Sequence, residues 1–262
     1  MFTRCLITAA VIALGLPAFA QDNPMRDGPT WGELQADVIG DVTPIAATGL
    51  FVAETPARAQ DAATVPIRII QSDPAMAVTK AIVVVDENPA PVAGTFSFGP
   101  QMLPLDFELR VRVNQYSNVR VLAETPNGLA MDGGYVKASG GCSAPATKDP
   151  EMAKVDMGQM KLRTFASLTH NRQEAQIMIR HPNYSGLQRD QLTQLFIPAH
   201  FLDKIEVAQG DEVLFTMEGG ISISENPAFR FVYSDNGAPA LTVTATDTEG
   251  NIWRNVLPKT GS

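Results

Sequence analysis

Over residues 107–114 the chain reads Phe-Glu-Leu-Arg-Val-Arg-Val-Asn, an unbroken alternation of apolar and polar side chains. That is the period of a strand with one face in a core and the other in water. Residues 65–71, 81–85, 95–98 and 118–123 predict further strands, separated by Pro, Gly and Asn turns. Ahead of them Thr30-Trp31-Gly32-Glu33 has the form of a capping box, and Trp31, Leu34 and Val38 fall on one helical face, which predicts one short helix near the mature N-terminus. The periodicity lapses over 143–160, read as a linker. It resumes with predicted strands at 174–180, 204–208, 212–217, 229–233 and 241–246, with hairpin turns at Gln209-Gly210-Asp211 and Glu249-Gly250-Asn251. Short strands at this spacing predict an all-β chain built of β-sandwiches.

Apolar residues make up 45% of the 262 positions and charged residues 18%, the balance of a globular chain large enough for one or two domains. Residues 1–20 have the form of an export signal: a positive charge at Arg4, an apolar stretch from Cys5 to Leu16, Pro17, then Ala18-Phe19-Ala20. Cleavage after Ala20 and a periplasmic destination are the expectation. Losing Arg4 takes the formal charge from −8 to −9, which argues against nucleic acid or an anionic membrane as partner. The same cleavage removes Cys5 and leaves Cys142 as the one cysteine, so no internal disulfide can form. A single cysteine in an exported protein points to a free reactive thiol or to a Cys142-linked dimer.

Cys142 follows Gly140 and Gly141 and precedes Ser143-Ala144-Pro145. Two glycines remove side-chain bulk and permit unusual backbone angles, so this segment is expected to be an exposed, mobile arm carrying the thiol. The other candidates point to structure. His170, His181 and His200 lack close ligand spacing, so no metal site is expected. Asp86-Glu87-Asn88-Pro89 reads as a turn rather than an acid–base pair. Gly133-Gly134 and Gly219-Gly220 lack the setting of a phosphate cradle and are expected to be bends in β structure. The methionines are scattered and expected to fill core.

Two sets of segments carry a resemblance. Asp86-Glu87-Asn88-Pro89, the run from Arg112 to Val119, and Gly140-Gly141-Cys142 resemble SoxY, the sulfur-carrying subunit of the thiosulfate-oxidising system. Met178-Ile179-Arg180-His181-Pro182, Gly186-Leu187, Ile197-Pro198-Ala199-His200-Phe201 and Ser224-Glu225-Asn226-Pro227 resemble its partner SoxZ. The chain thus resembles fused SoxYZ-like carriers, including a group associated with quinoprotein dehydrogenases. The resemblance implies two immunoglobulin-like β-sandwich domains in tandem, a SoxY-like domain over 21–142 and a SoxZ-like domain over 161–262, packed as one unit. It also implies that Cys142 covalently holds sulfur intermediates for separate sulfur-oxidation enzymes, with no catalysis and no cofactor of its own. In the two-subunit carrier the cysteine motif ends the chain, whereas here a second domain follows it.

Two other functions remain open on the residues alone. One is an accessory protein docking on a periplasmic quinoprotein dehydrogenase or its cytochrome. The other is a thiol peroxidase or transferase with Cys142 as nucleophile, which would need a cation or helix N-terminus to lower the thiol pKa.

Overall fold

The computed structural model describes residues 23–145, 150–166 and 171–259. The export signal, its cleavage point and His170 lie outside the described residues.

The first half runs α1 (Pro29–Ile39), β1 (Ile45–Ala46), β2 (Phe51–Glu54), β3 (Val65–Gln71), β4 (Lys80–Val85), β5 (Val92–Phe98), β6 (Asp106–Val111), β7 (Ser117–Thr125) and β8 (Gly128–Val136). The second runs α2 (Pro150–Val155), β9 (Met160–Thr164), β10 (Arg172–Ile179), β11 (Leu202–Gln209), β12 (Glu212–Gly219), β13 (Ala228–Ser234), β14 (Ala240–Asp247) and β15 (Ile252–Pro258). The chain is all-β apart from these short helices. No helix among the described residues is long and apolar enough to cross a membrane. Helix α2 falls inside the stretch read as a linker.

Helix α1 forms where the apolar spacing placed it, with Trp31, Leu34 and Val38 half-buried. Its capping box does not form. The helix begins two residues earlier, at Pro29 behind Gly28, and Thr30 donates its hydroxyl to Glu87 Oε1 (2.6 Å) instead of capping its own backbone. The helix is fastened to the sandwich rather than closed on itself.

The strands form two sheets, and both run through the two halves. One has the order β1-β8-β7-β4-β5-β12-β11-β14-β15, the other β2-β3-β6-β13-β10-β9. Each immunoglobulin-like sandwich contributes one edge to each seam: β5 pairs antiparallel with β12, Phe98 opposite Phe215, and β6 with β13, Phe107 opposite Phe231. Unpaired edges invite aggregation, and this pairing closes four of them at once. The packing is correspondingly continuous. Phe96 and Phe107 from the first half meet Phe215 and Phe229 from the second, with Phe107–Phe215 ring centroids 5.1 Å apart and Phe96–Phe229 6.2 Å apart. Fully burying each such ring stabilises the fold by about 1.5–3 kcal/mol, with ~0.5–1.5 kcal/mol more for each well-oriented aromatic pair. Beyond β6 the chain continues along the seam, where Arg112 N–H donates to Ser222 O (2.7 Å) and Ser224 N–H to Arg110 O (3.1 Å).

Candidate functional site

The segments quoted above for their family likeness converge where the two halves meet beyond the β6–β13 seam. Asn88, from the Asp-Glu-Asn-Pro turn, is buried and donates to Arg112 O (2.7 Å) and Ser222 Oγ (2.9 Å), while its Oδ1 accepts from Asn114 N–H (2.8 Å). One side chain thereby ties both strands of the first half to the second.

The cysteine loop lies against this junction. Gly140 N–H donates to Asn114 O (2.8 Å) and Gly141 N–H to Val113 O (3.0 Å), so the two glycines continue the edge of the segment after β6. Gly140 adopts φ +79°, and a Cβ on Gly141 would stand 2.1 Å from Ala62 O. Glycine is required here for close approach to backbone, not for freedom of movement. From the other half, Ser185 donates its hydroxyl to Cys142 O, and Gln188 Nε2 donates to Ala144 O (3.1 Å). Ser185 is itself held, its N–H donating to Gln188 Oε1 (3.0 Å).

The expectation of an exposed, mobile arm therefore does not describe the folded state. Cys142 is 1% exposed. The backbone of this polar segment is satisfied by backbone partners in the first half and by side-chain donors from the second, so the loop can be buried without an apolar pattern. Burial pushes the Cys142 thiol pKa up, and the nearby Arg112 opposes the rise. The seated thiol is neutral and shielded. Reaction, or formation of a Cys142-linked dimer, requires the loop to leave this seat, and the two side-chain bonds from the second half resist that by roughly 1–3 kcal/mol together.

Arg112 is the residue that sequence reasoning missed. Strict alternation over 107–114 assigns it to the polar face of a half-buried strand, yet it is 1% exposed. Nη1 donates to Gly141 O (3.1 Å), the carbonyl of the Gly141–Cys142 peptide, and Nη2 to Asn183 O (3.3 Å) in the second half. Nε has no partner. The one signal in the chain was its place in a run quoted for its family likeness.

Two of the three histidines also come together here, which their spacing did not reveal. His200 Nε2 lies 2.6 Å from Asp247 Oδ2 and His181 Nε2 3.4 Å from the same oxygen. His181 Nδ1 faces Asn183, 2.8 Å from its Oδ1 and 3.0 Å from its backbone N. Burial is the main cause lowering the His181 pKa, to about 4, so this ring is neutral at neutral pH. Asp247 lies low, at about 2, held there against burial by Asn251 and His200. The three donor atoms stand within 4.8 Å of one another and are the set that could hold a divalent cation. The 2.6 Å separation is that of a hydrogen bond, closer than two ligands of one ion approach, and Asp247 Oδ1 is already taken by the N–H groups of Glu249 (3.0 Å) and Asn251 (2.9 Å). The arrangement ties the β14–β15 turn to the loop holding Asn183.

Asp86 and Glu87 are separated as adjacent strand-end residues should be. Asp86 accepts both Arg120 Nε (2.9 Å) and Nη2 (2.9 Å) in a buried ion pair, and Glu87 takes the α1 hydroxyl. Gly133-Gly134 lies within β8 rather than at a bend. A Cβ on Gly134 would stand 2.1 Å from Thr55 Oγ1, so the pair is there for close packing.

Comparison with known proteins gives matching results in both halves. The family model for sulfur oxidation protein SoxY matches residues 35–142, and that for sulphur oxidation protein SoxZ matches residues 163–258. Among solved structures, the sulfur carrier protein SoxY from Chlorobium limicola f thiosulfatophilum is similar, at 24% identity over 41% of this chain and 94% of that chain, with a TM-score of 0.34. No curated protein sequence matches.

Proposed function

The chain belongs to the SoxY and SoxZ sulfur-oxidation families, one in each half, and from that premise we propose that it is a periplasmic, non-catalytic carrier holding sulfur intermediates covalently on Cys142. The observation that carries this reading is the seat of the thiol. The SoxY match ends at Cys142, and there the loop is pinned from the SoxZ half by Ser185 and Gln188 and from its own half by backbone bonds and by Arg112 Nη1 on Gly141 O. A carrier needs a seated state that protects its cargo and an open state that offers it to partner enzymes. A few breakable bonds at a junction of two bodies supply both. Joining a thiol to a sulfur anion forms an S–S bond, releases the thiol proton and removes two electrons, which pass to a partner oxidoreductase of the sulfur-oxidation system. The second domain following Cys142 makes the arm a loop tethered at both ends, so partners reach the thiol where the loop opens.

Protein isolated without reductant should carry an added sulfur-containing mass on Cys142 that reductant removes, and Cys142→Ser should lose both the adduct and support of sulfur oxidation. An unmodified thiol that no sulfur donor loads in the presence of partner enzymes would overturn the reading. The intact mass of exported protein should begin at Gln21, and retention of Met1 to Ala20 would overturn the periplasmic placement.

A further inference from the structure

A guanidinium taken out of water is normally matched by a carboxylate, because stripping its hydration costs several kcal/mol that neutral carbonyls only partly return. Arg112 lacks that match. It is fully buried, its two hydrogen bonds go to the carbonyls of Gly141 and Asn183, its Nε–H has no acceptor, and among the described residues no carboxylate lies within ion-pair distance of it. Burial lowers its pKa, opposed by Glu225, Cys142 and Asp61, none of which is hydrogen-bonded to it. The seated site therefore holds a fixed positive charge, one donor without an acceptor, and a neutral thiol, with the guanidinium bonded through Nη1 to the carbonyl of the peptide that precedes Cys142.

We propose that Arg112 is the counter-ion for the cargo: the seated site is built for adducts of Cys142 that end in an anion, such as a persulfide or a thiosulfonate, and it disfavours the bare thiol and neutral adducts. The proposal rests on the reading of Cys142 as the carrier thiol and assigns the residue that answers the cargo's charge in the seated state. An anionic end supplies the charge Arg112 lacks and an acceptor for Nε–H, and charge-assisted bonds of that kind are about twice as strong as neutral ones. The loaded loop should then sit more firmly than the empty one. Cargo would be held closed by its own charge until a partner enzyme competes for it. Charge at this position also gives selectivity, since a neutral or cationic group leaves the guanidinium unpaired.

Two disulfide adducts, one ending in an anion and one neutral, test this. Tetrathionate reacts with the Cys142 thiolate at an inner sulfur to give Cys–S–S–SO3⁻ and release thiosulfate. Methyl methanethiosulfonate gives Cys–S–S–CH3 and releases methanesulfinate. In both cases the thiol proton goes to the buffer. In the full-length mature protein the anionic adduct should melt roughly 5 °C or more above the methyl adduct. The difference should persist in Arg112→Lys and vanish in Arg112→Gln. If both adducts form and the anionic one melts at or below the methyl one in the wild-type protein, the counter-ion role is overturned while the carrier reading stands, a result that needs no variant to fold. An equal difference in all three proteins overturns it as well. If neither reagent modifies Cys142 in the folded protein, the carrier reading fails and the proposal with it.

Discussion

Arg112 and Arg120 are both buried arginines of the first half, and they are answered in different ways. Arg120, on β7, is 6% exposed; Asp86 takes its Nε and Nη2, the Trp31 ring lies 4.6 Å over it, and Met25 Sδ lies 3.4 Å from Nη1. Arg112 has two carbonyls and an idle Nε–H. The Arg120 region is electrostatically closed and fastens the N-terminal segment and α1 to the sandwich. The Arg112 region is open, and it is open beside the one described cysteine. A charge with its partner inside the fold is structural, whereas a buried charge without one marks a place where a partner is to arrive.

The largest effect that sharpens this contrast is in the closed region. Asp86→Ala leaves Arg120 buried without its carboxylate and should cost about 3–5 kcal/mol, read as a fall in the denaturation midpoint without a change in slope. Adding Arg120→Met should restore much of the loss. A loss under ~1 kcal/mol from Asp86→Ala would mean that the two regions do not differ as described.

Acid should act mainly beside the open region. His181 adjoins the Asn183 loop that Arg112 binds, and its folded pKa of about 4 lies below its ordinary 6.5. Between those values the unfolded chain takes up a proton that the folded one refuses. The stabilising contribution is thus fully present above pH 6.5 and is lost as pH falls toward 4, by about 3 kcal/mol in all. Asp247, low at about 2 against 3.8, continues the decline below pH 3.8, because its carboxylate favours the fold only while ionised. Melting temperatures from pH 8 to 4 should show the first limb, and His181→Gln should flatten it. A limb unchanged by that substitution would assign the acid sensitivity elsewhere.

The smallest effect concerns the seat itself. Ser185→Ala removes the hydroxyl donor to Cys142 O, a neutral hydrogen bond worth about 0.5–1.5 kcal/mol. It should raise the rate of native thiol labelling by roughly tenfold with little change in global stability. Wild-type Cys142 should label far more slowly than in the unfolded chain. Fast labelling of the wild type would show that the loop is not held as the geometry indicates.

Much of the scaffold was legible in the chain. Alternation located β3 to its ends and placed β4, β6, β7 and β10 to β14 within a few residues. The helical face of Trp31, Leu34 and Val38 located α1. What escaped has local causes. In β8 the pair Gly133-Gly134 looked like a bend, because a glycine that admits a close neighbour resembles one that permits a turn. In β15, at the edge of its sheet, Ile252 and Val256 face outward at 71% and 60% exposure, so alternation is no guide to the buried face. The last major strand missed, β9, is five residues long and sits at the end of a stretch with no periodic signal.

The sequence by itself determined the β class, most strands, the two family likenesses and the choice of Cys142 as the residue of interest. It did so because period, turn chemistry and motif are properties of neighbours along the chain. Only the tertiary structure decided that the sheets are continuous through both halves, that Arg112 is buried on the face alternation assigns to water, that His181 and His200 share Asp247, and that the cysteine loop is seated. The first, second and fourth depend on the β5–β12 and β6–β13 seams, which bring the second half over loops of the first, and the third on the second half folding upon itself, where all three residues lie. A period of two reports which face of a strand its own sandwich covers. It carries no information about what a distant part of the chain will lay over the other face.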